Sequence, residues 1–301
     1  MSVKKLSNIF LFIFIYSWTP IFIKMLGSEY DVITQNFYRF IFADVALFAI
    51  GYYFYKDDLK KAFRNIKLFL FPAAINTVVQ YLMVAAIVLT TAVLGSLISK
   101  LSVVSTIALS WIFLKSERKI IKSKYFLIGI ALAIIGFIGV VSAKGDVLVS
   151  DFNLAIIYFI IIALLVAVYR ISIKKMVAEV HPFAAFTMIC FLMTLFFIPG
   201  VILFGDLSRI FTASTNINAI LIFSGVINLS LANGFYYKSV KDYGVSIPNT
   251  LLLILPFTTG AFSYFVLGEL LTTMQIVFGT ILIIGCYVLM KKAKRVKNEV
   301  R

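Results

Sequence analysis

Charge is what this 301-residue sequence has least of: Asp, Glu, Lys and Arg together make up 14 % of it, against 62 % hydrophobic residues. A soluble globular surface normally needs about a quarter of the residues charged. The deficit therefore excludes a water-soluble fold and leaves lipid to cover the surface, as a mean hydropathy of +1.03 also requires. The single histidine, His181, excludes a His-built metal cluster or catalytic dyad, and beside Pro182 it reads as a residue at a helix entry. The two cysteines, Cys190 and Cys286, lie in widely separated apolar runs with no disulfide framework and no CxxC spacing; they read as small buried apolar residues. There are only six prolines and no Ser/Gly-rich linker. No glycine-rich phosphate loop follows a strand and no G-x-S-x-G turn occurs, so nucleotide-driven transport by this chain alone is not expected. No metal and no cofactor is called for.

What the sequence has is long apolar runs. A spanning helix needs roughly 20 mainly apolar residues for a hydrocarbon core of about 30 Å. Ten such runs can be cut from the sequence, at 6–26, 33–55, 67–88, 92–113, 123–142, 153–173, 182–204, 216–237, 246–267 and 273–290. The predicted fold class is an all-α integral membrane protein of ten transmembrane helices. The first run follows Lys4 and Lys5 as a signal peptide would, yet it lacks a small-residue cleavage site and is followed by Lys24, Glu29 and Asp31, so it is expected to remain as the first helix.

The net charge of +15 would suit a nucleic-acid partner, but the basic residues sit in short segments between apolar runs, as topology determinants do. With the N-terminus in the cytoplasm, 23 of the 28 basic residues flank the inner ends, Arg170, Lys174 and Lys175 among them; only Lys144 and Arg209 lie outside, and Lys24, Arg39 and Lys100 fall within runs. That asymmetry predicts ten spans with both termini cytoplasmic, in a cell membrane and with no nucleic-acid partner.

An internal repeat divides the chain. Ser110-Trp111-Ile112-Phe113-Leu114-Lys115-Ser116-Glu117 is similar to Ser263-Tyr264-Phe265-Val266-Leu267-Gly268-Glu269, offset by 153 residues at the serines and, one residue being missing from the second copy, by 152 residues at the glutamates. In both places an apolar helix ends at a glutamate and a glycine-containing helix follows. Five spans per repeat is an odd number, so residues 1–145 and 146–301 are expected to insert in opposite orientations. Inverted repeats with one site at the midplane are a construction of secondary transporters.

At these residues the chain resembles the drug/metabolite transporter superfamily, in its EamA-type ten-helix branch. Trp18-Thr19-Pro20-Ile21-Phe22-Ile23-Lys24 is similar to that family's tryptophan-led first helix, Tyr38-Arg39-Phe40 with Ala43 to its second, and Leu255-Pro256-Phe257 thirteen residues before Glu269 to its ninth. One departure is that Val104 stands at the first-half equivalent of Pro256. The resemblance implies alternating access and movement of small metabolites, without fixing which. The glutamate that the small multidrug relatives carry in their first helix has no counterpart here, since no acidic residue precedes Glu29.

Ionisable side chains inside hydrocarbon are costly unless paired or hydrated, so each is a functional candidate. Lys100 and Arg39 are candidates for substrate binding, and Asp44, alone among acids deep in a span, for carrying a coupling proton. Arg39 and Asp44 also admit a reading as structural partners across helices, and Lys24 one as a cation reaching the outer interface. Asn76 and Gln80 share a face of the third span and Asn228 lies in the eighth; with Trp18 as a stacking wall they complete the expected site. The serines and threonines of the fourth span, Ser96 to Ser110, read as interhelical glue. Glu117 and Glu269 are expected to cap or brace helix ends.

Four functional readings follow. A secondary transporter, exporting amino acids or organic anions, fits the repeat and the excess of intramembrane positive charge. A cationic-drug exporter needs that charge neutralised by Asp44. A lipid-modifying membrane enzyme needs a His/Asp/Glu cluster at one interface, and a channel needs charged rings or a carbonyl filter; neither is visible. Two complete halves in one chain make a monomer the expected unit, and its partners a small-molecule substrate and the bilayer.

Overall fold

The computed structural model describes residues 11–113, 124–143, 152–243, 248 and 252–299. Every regular element among them is helical. The helices are α1 Leu11–Leu26, α2 Val32–Phe54, α3 Lys56–Arg64, α4 Lys67–Val88, α5 Ala92–Ile98, α6 Leu101–Phe113, α7 Lys124–Ser142, α8 Phe152–Glu179, α9 Pro182–Phe204, α10 Thr215–Asp242, α11 Leu255–Leu267 and α12 Thr273–Glu299. Five of them, α2, α4, α8, α9 and α10, are each long and apolar enough to cross a membrane, and five shorter apolar stretches lie in α1, α5 with α6, α7, α11 and α12. The chain is a multi-pass membrane protein, and its outer surface agrees: Tyr53, Leu203, Phe204, Phe211 and Phe265 are among the large apolar side chains left exposed for lipid.

Local chemistry sets the helix starts. Asp31 caps α2 by accepting from the amides of Ile33 at 2.9 Å and Thr34 at 2.8 Å, and Thr91 caps α5 through Leu94 N at 3.1 Å. Pro182 opens α9 and Pro256 lies in the first turn of α11, where proline's missing N–H costs nothing. Gly268 ends α11 at φ 67°, a left-handed C-cap suited to glycine. The amphipathic α3 buries Leu59 and Ala62, with Asp57 and Asp58 in its first turn and Lys61 and Arg64 in its last, matching its dipole.

Packing joins repeat equivalents. With the 152-residue offset, α2 corresponds to α9, α5 with α6 to α11, and α7 to α12; each of these pairs is in contact in the structure. The α7–α12 seam is the closest. A methyl at Gly136 would stand 2.4 Å from the backbone nitrogen of Leu282, one at Gly285 2.5 Å from that of Ala133, and one at Gly139 would overlap the ring of Phe278. Small residues let helices approach this closely in lipid, where apolar burial does not drive them together. Among the described residues two large buried apolar clusters result, one around Phe40, Ile173, Phe186 and Tyr237, the other around Ile87, Leu94, Phe159 and Leu282, with a small one at Leu26, Tyr30 and Leu221.

The two ends of the bundle are distinct. At one, Asp58 accepts from His181 N at 2.8 Å, the rings of Tyr55 and His181 stack at 3.6 Å, and Lys61 pairs with Glu179 at 3.6 Å. At the other, Glu29 accepts from Ser214 N at 2.8 Å and Ser214 Oγ at 2.7 Å, and Tyr38 donates to Leu207 O at 2.7 Å. Residues expected on opposite sides of the membrane thus gather at opposite ends. Lys115, Glu117 and Lys144 lie outside the described residues.

Two consequences can be measured in detergent. Gly136→Ala, whose methyl meets backbone rather than a movable side chain, should lower thermal stability by about 1–3 kcal/mol, while Gly260→Ala, with 3.5 Å of room, should change it little. His181 is the N-cap of α9, its Nδ1 accepting from Phe183 N at 3.4 Å. Burial, then Lys241, holds its imidazole below the ordinary histidine value, with Asp58 opposing. The folded protein therefore binds that proton later than the unfolded chain does. Stability should fall as pH drops through about 6.5, and His181→Asn, which keeps a cap without a titration, should remove that part of the slope between pH 7.5 and 5.5.

Candidate functional site

Midway along the bundle one helix breaks and another opens on an irregular turn. The fourth apolar run, expected as one helix over 92–113, is divided: α5 ends at Ile98, Ser99 and Lys100 form a turn, and α6 begins at Leu101. The backbone tightens there to three-residue hydrogen bonds, Lys100 N to Leu97 O at 3.1 Å and Val103 N to Lys100 O at 2.9 Å. Lys100's repeat counterpart at offset 152 is Leu252, and a 3₁₀ turn, Leu252–Ile254, lies there, leading into α11. The two irregular segments stand at corresponding positions of the two repeats. A third irregularity is the π-helical stretch Ser224–Leu231 of α10, which carries Asn228; wide turns of this kind recur at functional sites. Gly225 in that stretch lets α10 lie against α2, since a methyl there would stand 2.7 Å from Arg39 O.

These irregular segments surround a cavity of about 150 Å³. Its walls take Val79, Ile87 and Val166 from one apolar cluster and Tyr169, Leu229, Tyr236, Leu252 and Leu255 from the other, so it lies between them. Of the seven residues expected to bind substrate or couple transport, five line it: Arg39, Asn76, Gln80, Lys100 and Asn228. Arg39 is 1 % exposed, and its Nε and Nη1 have no hydrogen-bond partner. Asn76 Nδ2 points to Met193 Sδ at 3.1 Å. Asn228 accepts from Thr19 Oγ1 at 2.8 Å and donates to Ile15 O, so it ties α10 to α1 as well as facing the cavity. Ser96, Ser99 and Ser102 also line the wall, beyond the gluing role expected of them; Asn249 and Thr250 lie outside the described residues.

Trp18 and Asp44 are placed elsewhere. The Trp18 indole stacks on Phe262 at 4.7 Å and on Phe22 at 5.7 Å, a packing position. Asp44 is buried between α2 and α9, where its Oδ2 accepts from Thr194 Oγ1 at 2.6 Å and its Oδ1 has no partner. Arg39 and Asp44 form no ion pair; the pair Lys61–Glu179 stands alone among the described residues. Sequence reasoning missed Arg170. It was counted with Lys174 and Lys175 as an inner flank, but α8 continues to Glu179 and Arg170 is on the cavity wall, its Nη1 buried and unpartnered. The signal was its position inside the apolar run 153–173. Removing it leaves 22 basic residues on the inner flanks against two. Tyr16, which donates to Asn233 Oδ1 at 2.9 Å, and Tyr169 also line the wall.

Lys24 and Glu269 brace one end of the bundle. Lys24 Nζ donates to Val88 O at 2.8 Å and to Thr90 O, closing the C-terminus of α4. Glu269 accepts from Ala92 N at 2.9 Å, Val93 N at 3.2 Å and Ser263 Oγ at 2.7 Å, so it crosses from the second repeat to cap α5 in the first.

A family model for EamA-like transporters matches the sequence twice, over residues 4–142 and 153–291. The chain belongs to the EamA-like transporter family. An uncharacterized transporter of Haemophilus influenzae is 23 % identical over 286 residues, spanning 90 % of this chain and 92 % of that one. A solved crystal structure superposes with a TM-score of 0.68 at 12 % identity, over 99 % of this chain and 100 % of the other; that likeness concerns the fold alone. As a two-repeat EamA-like protein the chain is a membrane transporter, and the break at Lys100, the 3₁₀ turn at Leu252 and the π-helical Asn228 are local features on the wall of its cavity.

Removing the brace is expected to be costly. Glu269→Ala leaves two helix-start amides without their acceptor, and the thermal midpoint in detergent should drop by the equivalent of about 1–2 kcal/mol; Ser263→Ala, which deletes one donor and leaves both amides paired, should cost less.

Proposed function

We propose that this EamA-like protein is a secondary active exporter of a small metabolite, an amino acid or an organic anion, working by alternating access as a monomer of the cell membrane. Ten spans arranged as two inverted five-helix repeats, with both termini cytoplasmic, are part of the same reading. The observation that carries it is the pair of irregular segments at corresponding positions of the two repeats, the break at Lys100 and the 3₁₀ turn at Leu252, both on the wall of one cavity. Broken helices at a repeat interface supply backbone polar groups and a place to bend, and related halves supply one gate on each side of the site. The gathering of Lys61, Glu179, Asp58 and His181 at one end and of Glu29, Ser214 and Arg209 at the other supports the orientation.

In this reading Arg39, Lys100, Asn76, Gln80 and Asn228 contact the solute, and Asp44 carries the coupling proton without touching it. Arg39 and Asp44 share α2, so a change in the charge of Asp44 alters how α2 packs on α9 while Arg39 reports that change to the cavity. The basic wall argues against a cationic drug as cargo.

Proteoliposomes loaded with labelled amino acids and organic acids test the proposal. Wild type should exchange one class, Lys100→Ala should lose at least about tenfold in rate, and Asp44→Asn should retain exchange while losing its dependence on a pH gradient. An unchanged pH response in Asp44→Asn would make Asp44 a structural partner of Thr194 instead.

A further inference from the structure

The charge of the cavity is one-sided. Arg39, Lys100 and Arg170 line it, and among the described residues no Asp or Glu does. Arg39 Nε and Nη1 and Arg170 Nη1 are buried and unpartnered. Guanidinium groups stay protonated at any physiological pH, so at least two positive charges face one small space. Arg39 comes from α2 in the first repeat and Arg170 from α8 in the second. Buried charges without partners are strongly unfavourable in a membrane interior, and a ligand bringing two negative charges relieves both at once.

The same wall offers an ammonium group no carboxylate among the described residues. Asn228 Oδ1 is engaged by Thr19 Oγ1 at 2.8 Å and Asn233 Oδ1 by Tyr16 OH at 2.9 Å. Asp44 is turned toward Thr194 and is absent from the wall. An amino-acid zwitterion would set its ammonium among two or three cations with no carboxylate to receive it. Size narrows the choice further. A cavity of about 150 Å³ matches one that holds a benzene-sized molecule and falls below the roughly 300–1,000 Å³ of drug-sized sites.

We propose that the cavity is a site for a small dianion lacking an ammonium group, a short dicarboxylate or a small phosphate monoester, held between Arg39 of one repeat and Arg170 of the other with Lys100 as a third donor. Arg170 sets the preference for two negative charges over one. The inference rests on the transporter reading for its consequence in flux, but not for binding.

The test uses the full-length protein with succinate, glycerol 3-phosphate, acetate, alanine and tetraethylammonium, read by thermal unfolding in detergent and by exchange in proteoliposomes. Succinate or glycerol 3-phosphate should raise the unfolding midpoint and exchange, with the other three at least about tenfold weaker. A response to succinate alone assigns the dicarboxylate, and one to glycerol 3-phosphate alone the phosphate monoester; both uphold the dianion. Arg170→Gln should weaken dianion binding by about tenfold to a hundredfold, bring the dianion-to-acetate ratio toward one, and be largely rescued in Arg170→Lys. Preference for alanine or tetraethylammonium over both dianions overturns the proposal and leaves the transporter reading standing. Dianion binding without exchange of any solute upholds the site and removes the transporter reading. No response to either dianion overturns the proposal, as does an unchanged dianion-to-acetate ratio in folded Arg170→Gln. Where Arg170→Gln does not fold, the wild-type preference decides.

Discussion

In hydrocarbon every backbone N–H and C=O must find its partner within the protein, and the rest of this structure depends on how that demand is met where helices stop or break. The turn between α4 and α5 shows the solution. It lies between a helix end that exposes carbonyls and a helix start that exposes amides. Lys24 supplies donors to Val88 O and Thr90 O, and Glu269 supplies acceptors to Ala92 N and Val93 N. Opposite charges thus sit on the dipole end that favours each. One comes from α1, the other from beyond α11, so the cap of a single turn ties the first and second repeats together.

The same demand explains why the cavity is where it is. A break in the middle of a span is tolerable only where it is buried in protein or faces water. Ser99 and Lys100 break the fourth apolar run beside the cavity, and side chains meet the carbonyls there: Ser99 Oγ donates to Ser96 O at 2.7 Å and Cys286 Sγ approaches Lys100 O at 3.8 Å. On the other side the π-helical turn of α10 brings Asn228 to the wall, and Gly225 allows α2 close enough to set Arg39 beside it. The close glycine seam of α7 and α12 adjoins this region, since Cys286 and Gly279 of α12 reach Lys100 O and Leu97.

Much of this was legible in the sequence, for identifiable reasons. Apolar runs of about 20 residues mark helices whatever their partners, and a 152-residue offset pairs α5 and α6 with α11 because repeats keep their own spacing. Glu269 was recognisable as a brace because a carboxylate just past an apolar run has few other uses. The break at Lys100 was not legible: Ser-Lys carries neither glycine nor proline, and the interruption comes from tertiary contacts around the cavity. Arg170 was hidden by its neighbours. Lys174 and Lys175 follow within two turns and read in sequence as the inner flank of a span, but α8 runs on to Glu179, setting Arg170 nine residues, or about 13 Å, inside the helix end. Trp18 was drawn to the site by its type, whereas Phe262 and Phe22 hold it in a stack.

Arg39 and Arg170 make the arrangement more than a basic pocket. A single buried cation near an entrance would attract any anion, and would act on one repeat only. Here the fixed charges are divided, one on α2 in the first repeat and one on α8 in the second, across the boundary along which the halves would move in the alternating access proposed above. An empty cavity keeps the two guanidiniums repelling each other, which opposes closure of the halves. A ligand with two negative groups turns that repulsion into a bridge, whereas one with a single negative group satisfies one side and leaves the other exposed. Differential binding of this kind is the only means by which a ligand shifts a conformational equilibrium. Charge number, more than shape, is therefore the property that a cavity of about 150 Å³ with divided arginines is equipped to sense.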